Sequence, residues 1–290
     1  MKLLVLGSTG QLAVALAERG EALGHEVVRA GRPQLDLADP TGLGDLVGLA
    51  APDAVINAAA YTAVDQAEDE IEQAIAINRE GAAAAARAAE ARGLPFLHVS
   101  TDYVFSGSKG SPYFEYDPVD PLNVYGRSKA EGESAVLAAH PSALVVRTSW
   151  VYAPWGRNFV RTMLRLGAER DRLSVVCDQT ARPTEANALA DGLIALAERL
   201  RGGAPGGLLH LAGRGETSWH GLAEAALEGA GLTTPVDPVP TSAFPTRAVR
   251  PADTRLDLTR AEREYEVRLP EWRDSLQRCL ARIAAGGREG

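Results

Sequence analysis

Tyr125-Gly126-Arg127-Ser128-Lys129 sets a phenol and an ammonium four residues apart, on one face of a helix. A lysine so placed is expected to lower the tyrosine pKa, letting the phenol exchange a proton with a carbonyl or an alcohol. The chain has seven tyrosines and three lysines, so chance gives only about 0.07 such pairs, and this one stands alone. The competing reading is a solvated helix face that happens to carry a tyrosine. Upstream, Val99-Ser100-Thr101-Asp102-Tyr103-Val104-Phe105 runs off the end of an apolar segment. Open parallel sheets place ligands at the carboxyl ends of their strands, and a hydroxyl there can hydrogen-bond a carbonyl. Taken alone, that stretch reads first as an ordinary strand-ending turn.

A second group of residues suits phosphate. Gly7-Ser8-Thr9-Gly10-Gln11-Leu12-Ala13 leaves the first apolar run and opens the first helical pattern. Glycines let the backbone approach a pyrophosphate closely, and the helix start offers free N–H groups. The spacing Gly-x-x-Gly-x-x-Ala departs from the three-glycine fingerprint and is weak by itself; its place at a strand-helix junction is what the fingerprint requires. The second strand ends Arg29-Ala30-Gly31-Arg32, with no acid to hold the ribose of NAD. Arginine accommodates the extra phosphate of NADP, so Arg32 favours NADPH over NADH, while Asp36 in Leu35-Asp36-Leu37 is free to sit against the adenine.

The elements that must position these groups alternate. Short apolar runs at Lys2–Leu6, Glu26–Arg29, Ala54–Asn57, Leu94–Val99 and Ala143–Val146 read as strands, with helical spacing from Gln11 to Leu23 and from Ile71 to Arg92. Such alternation predicts an α/β fold, a doubly wound parallel sheet of Rossmann type. Residues 1–150 are expected to form the dinucleotide-binding part. Residues 151–290 are expected to form mainly a smaller substrate-binding part, with 173–200 returning to the first. Asn158–Glu169, Glu185–Leu200 and Pro270–Ile283 read as helices, Leu173–Val176 as a strand, Gly202–Gly207 as a flexible turn and Pro235–Pro251 as a Pro-rich connection. Gly286–Gly290 is expected to fray.

Composition narrows the partners. Thirty basic against 38 acidic residues give a net charge of −8, and without a basic tract nucleic acid is excluded. No apolar run approaches membrane-spanning length, and the first residues lack the pattern of an export signal, which predicts a cytoplasmic protein. Cys177 and Cys279 read as reduced, buried thiols. The five histidines show no ligand spacing, so no metal is expected.

Together these residues resemble the extended short-chain dehydrogenase/reductases. Asn57-Ala58-Ala59-Ala60-Tyr61-Thr62-Ala63-Val64-Asp65, Ser100-Thr101-Asp102-Tyr103-Val104-Phe105-Ser106-Gly107 and Arg147-Thr148-Ser149-Trp150-Val151-Tyr152 narrow the resemblance to the dTDP-4-dehydrorhamnose reductases. It implies reduction of the 4-keto group of dTDP-4-dehydro-L-rhamnose, with Tyr125 supplying the proton, Lys129 holding the nicotinamide ribose and Thr101 polarising the keto oxygen. It makes Gly7, Thr9, Gly10, Gln11 and Leu12, then Asp36 and Leu37, cofactor contacts. Ala58, Ala59, Ala60, Tyr61 and Thr62 join them. Val64, Asp102, Tyr103 and Trp150 are implied to touch the sugar nucleotide. Related dehydratases resemble a Thr-Asp-Glu arrangement; Tyr103 in the third position removes the elimination acid and favours simple carbonyl reduction. Ala181 stands where glycine is frequent, and Arg182 reads either as a pyrophosphate contact or as a surface residue. Two alternatives stay open: a partner-binding regulatory subunit like that of methionine adenosyltransferase, and a reductase or epimerase of another nucleotide sugar. A homodimer is also left open.

Overall fold

The computed structural model describes residues 1–286; the expected fraying therefore lies, apart from Gly286, outside the described residues. Five strands form in the first half: β1 (Lys2–Leu6), β2 (Glu26–Ala30), β3 (Ala54–Asn57), β4 (Phe96–Thr101) and β5 (Leu144–Thr148). A sixth, Gly207–His210, joins the edge at β5. The order is Gly207–His210, β5, β4, β3, β1, β2, and every pairing is parallel. This is the doubly wound sheet that the alternation predicts.

Both faces are covered because successive strand residues point to opposite sides. Leu3, Val5, Ile56, Leu144 and Val146 face α1 (Gln11–Ala22) and, from later in the chain, Leu189 and Leu193. Leu4, Leu6, Val55, Phe96 and Val145 face the other way, toward α2 (Leu43–Ala50), which brings Leu43 and Val47. The chain thus leaves β1 on one face and returns to β3 from the other. A crevice opens where the connections diverge, at the carboxyl ends of β1 and β3.

The expected helix over Ile71–Arg92 is not uniform. Helices α3 (Ile71–Ile75) and α4 (Ala82–Glu90) are joined by a π turn, Ala76–Gly81. Widening the helix there sends Asn78 inward, where its amide donates to Tyr61 O and Ser128 Oγ and its oxygen accepts from Tyr61 N. Strand β4 starts two residues later than the apolar run suggests, after Pro95, and so carries Thr101 at its very end.

Helix α5 (Val124–Ala139) is fastened to the sheet by charge. Arg147 of β5, fully buried, gives Nε and Nη2 to the two oxygens of Glu133 at 2.9 and 2.7 Å. Ser100 Oγ of β4 donates to the same carboxylate at 2.5 Å, and Arg147 Nη1 reaches Glu115 O at 3.2 Å.

Beyond the main sheet, α6 (Phe159–Glu169), α8 (Trp219–Gly229) and α9 (Trp272–Ala284) enclose a second core around Tyr152, Leu222 and Leu276. Helix α8, which the sequence reading passed over, is capped by Ser218, whose hydroxyl accepts from Gly221 N at 3.1 Å. Of the stretch expected to return, α7 (Ala186–Arg201) does so by packing on α1. The strand Leu173–Val176 does not: it pairs in parallel with Val236–Val239. That partner lies inside the Pro-rich connection. The sixth strand likewise follows directly on the glycine-rich turn read as flexible. Cys279 is buried as expected, but Cys177, just past the small two-stranded sheet, is exposed. Among the described residues no helix is long and apolar enough to cross a membrane.

Removing one partner of a buried ion pair strands the other. Arg147→Met should therefore cost about 3–5 kcal/mol, read from the urea midpoint. The double variant Glu133→Leu/Arg147→Met should cost less than either single change; equal or greater loss would contradict the clamp.

Candidate active site

The crevice deepens into a cavity of about 510 Å³. Its floor is the turn after β1. Gly7 has φ +123°, a backbone conformation that side chains with a Cβ rarely adopt, so the position suits glycine. Gly10 caps α1 without a side chain, which leaves the first N–H groups of the helix unscreened. Thr9, Gln11 and Leu12 line the same wall, and Asn158 Nδ2 fixes Gln11 by donating to its Oε1 at 2.9 Å.

One end of the cavity lies past β2, where Arg32, Asp36 and Leu37 line it. Arg32 is exposed, whereas Arg29 is engaged, donating to Ser8 O at 2.6 Å. Asp36 accepts from Ala38 N, which holds its loop. Ala58, Ala59, Ala60 and Thr62 form the wall after β3. A turn of polar backbone flanked by free helix N–H groups, with a cationic residue at the far end, fits a dinucleotide carrying an extra phosphate.

At the other end Thr101, Asp102, Tyr125, Lys129 and Trp150 come together from β4, α5 and the end of β5. Helix α5 reaches this close because of Gly126: a Cβ there would lie 2.2 Å from Tyr103 O. Asn123 caps the helix by accepting from Gly126 N at 2.8 Å.

Tyr125 keeps part of its surface toward the cavity, yet protein packed around its phenol pushes the pKa up to about 12. The neighbouring Thr101 side chain opposes the rise, and the Asp102 carboxyl adds to it. This corrects the expectation that Lys129 lowers the tyrosine. The amine points instead into the sheet, donating to Val99 O at 2.7 Å and lying 3.2 Å from His98 Nε2. Burial brings Lys129 itself down to about 8, against the pull of Glu133. Asp102 is also buried and is pushed up to about 7, although Thr254 Oγ1 and Thr101 Oγ1 donate to its two oxygens.

Trp150 sits at φ +46°, an unusual backbone for a tryptophan, and its ring stacks on Trp219 with centroids 3.5 Å apart. Trp219 Nε1 in turn donates to Gln179 Oε1 at 3.1 Å.

Three expected residues lie off the cavity wall. Tyr61 turns away because its hydroxyl donates to Glu70 at 2.8 Å and its backbone is bound to Asn78. Tyr103 stands behind Tyr125, edge to face, with centroids 5.9 Å apart. Val64 is half-buried outside the lining. Arg182 is half-buried, and its Nε and Nη1 donate to Leu256 O and Gly215 O, fastening two loops.

Sequence reasoning passed over Asn78, Thr254 and His98. Asn78 was marked only by being polar within an alanine-rich helix. Thr254 joins the site from more than a hundred residues away, which no local pattern reports. Among the described residues no cluster of three potential metal ligands exists.

The chain matches the family described as RmlD substrate binding domain over residues 1–285. It is 41% identical to a dTDP-4-dehydrorhamnose reductase of Sinorhizobium fredii, covering 100% of both chains. The Salmonella typhimurium dTDP-4-dehydrorhamnose reductase is also 41% identical, with 98% of each chain covered. Among solved structures, the Bacillus anthracis dTDP-4-dehydrorhamnose reductase in complex with NADP superposes with a TM-score of 0.90 at 33% identity, covering 97% of this chain and 98% of that one. Glycine turn, tyrosine-lysine helix and full-length similarity agree, and the chain belongs to the RmlD substrate binding domain family.

Proposed function

We propose that the protein reduces the 4-keto group of dTDP-4-dehydro-L-rhamnose to give dTDP-L-rhamnose, with NADPH preferred over NADH. The observation that carries this reading is the meeting of Thr101, Tyr125 and Lys129 at one end of a cavity whose floor is the Gly7–Leu12 turn. The names of relatives that match from end to end support it over a partner-binding role, which has no need of that trio.

When bound, the nicotinamide supplies the hydride. Gly7, Thr9, Gly10, Gln11 and Leu12 hold its pyrophosphate side, with Ala58 to Ala60 and Thr62 along the wall. Leu37 and Asp36 border the adenosine end, and Arg32 takes the extra phosphate. Lys129 is the residue for the ribose next to the reacting ring.

Tyr125 is a phenol throughout the neutral range, so it holds a proton ready for the oxygen that becomes the alcohol. Thr101, at the end of β4, turns its hydroxyl from Asp102 Oδ1 to that oxygen and favours the charge that gathers on it as the carbonyl is reduced. Asp102 and Trp150 bound the sugar, while Tyr103 stands behind Tyr125 and Val64 lies off the wall. Tyr103 backs the catalytic ring and is no acid, which suits reduction without elimination. The segments around α6, α8 and α9 receive the rest of the nucleotide sugar.

Three measurements test this. Tyr125→Phe should lose turnover by about 100-fold or more while still quenching with NADPH as wild type does; near-normal turnover would remove the proposed donor. Arg32→Ala should lower kcat/KM for NADPH several-fold and leave NADH use nearly unchanged. Asp102 bears on pH: with a folded pKa of about 7 against 3.8 in an unfolded chain, the folded state keeps a proton that the unfolded state gives up. Stability should thus fall as pH rises through that window. Asp102→Asn should flatten this slope of urea midpoint against pH, and an unchanged slope would assign it elsewhere.

A further inference from the structure

His98 is fully buried in β4, opposite Asn57 of β3, and neither has a role in the reaction as described. The imidazole meets Asn57 Nδ2 at 3.1 Å through Nδ1 and Lys129 Nζ at 3.2 Å through Nε2. Burial and the neighbouring amine hold its pKa well below the usual histidine value, so the ring is neutral and has one N–H and one acceptor.

That single proton has consequences. The Asn57 oxygen is taken by Ala59 N–H at 3.2 Å, which turns the amide NH₂ toward His98. Nδ1 must then accept, and the ring proton sits on Nε2, aimed at Lys129. Only a neutral amine can accept it. An ammonium at Lys129 needs the opposite: a lone pair on Nε2, the proton on Nδ1, and the Asn57 amide turned over, with Ala59 N–H released. Two arrangements of the same heavy atoms, one proton apart, therefore correspond to two charges of the lysine.

We propose that His98 is a positioning residue for the reduction, acting through Lys129: its tautomer, directed by the Asn57 amide, is linked to whether the buried lysine is held as an amine or as an ammonium. The catalytic part rests on the reductase reading; the linkage itself does not. The other ionisable groups near the amine are Tyr125 and Glu133 on its own helix, Asp102 beyond β4, and Arg147 of β5. Arg147 is already spent on Glu133. Asp102 is occupied by Thr101 and Thr254. Lys129 also donates to Val99 O in the present arrangement, which either charge allows.

Nitrogen-15 NMR of histidine-labelled protein across pH 6 to 10 tests the linkage without substrate. The expected result is a His98 ring that stays neutral but carries its proton on Nδ1 at the acid end and on Nε2 at the alkaline end. A single tautomer across the range would overturn the proposal. The kinetic test uses the keto sugar and NADPH. His98→Gln can offer its oxygen to an ammonium with no tautomer to switch, so turnover should stay within about tenfold of wild type. The lysine-controlled limb of kcat/KM should move up by about one pH unit. His98→Leu should lose more than about tenfold in kcat with NADPH binding retained. A limb that stays put in His98→Gln would refute the positioning role. If His98→Leu does not fold, the tautomer measurement and His98→Gln still decide. Wild-type protein that binds NADPH but leaves the keto sugar unreduced would count against the proposed function, and the NMR result would stand on its own.

Discussion

The site depends on how α5 is docked, and α5 is docked by a buried ion pair. Tyr125, Lys129 and Glu133 lie at successive turns of one helix face, so whatever holds Glu133 also holds the other two. Arg147 meets the Glu133 carboxylate with two nitrogens, Ser100 adds a third bond, and the three come from helix and from two adjacent strands. Such a pair does little for net stability, since desolvating both charges offsets much of their attraction. What it supplies is register: an apolar face tolerates a slide of a fraction of a turn, while a two-pronged bond does not. Gly126 and the inward Asn78 then bring the helix close enough to touch the end of β4 and the π turn.

Burial is the dominant cause in the electrostatics that result. It raises the Tyr125 phenol, raises the Asp102 carboxyl and lowers the Lys129 amine, each toward its neutral form. At this end of the cavity burial therefore works against the charged form of each group. The direct lysine-to-tyrosine effect expected from spacing alone is missing because the amine is bonded into the sheet rather than toward the phenol.

Much of this was legible in the chain. The parallel sheet followed from apolar runs alternating with helical spacing, since strands buried on both faces must be apolar throughout. Thr101, Tyr125 and Lys129 stood out by chemical type and by their places at a strand end and a helix start. What escaped was set by contacts distant in sequence. Tyr61 and Val64 sit in a block expected to touch ligands, but the pull of Glu70 and Asn78 on Tyr61 is tertiary. The strand Val236–Val239 contains a proline and lies among others, so its local composition argued against it; a two-stranded edge tolerates that proline. Arg182 looked like a free cation because no local signal shows backbone carbonyls waiting for it.

The sheet order has a consequence for how the molecule is made. Residues 1–150 supply five strands, but the sixth comes from Gly207–His210, and α7 completes the cover over Leu3, Val5, Ile56, Leu144 and Val146. A nascent chain halted after β5 would expose a strand edge and half an apolar face. The sheet begun by residues 1–150 therefore cannot close as it leaves the ribosome. It waits for some sixty more residues, which ties its assembly to that of the segments threaded in between.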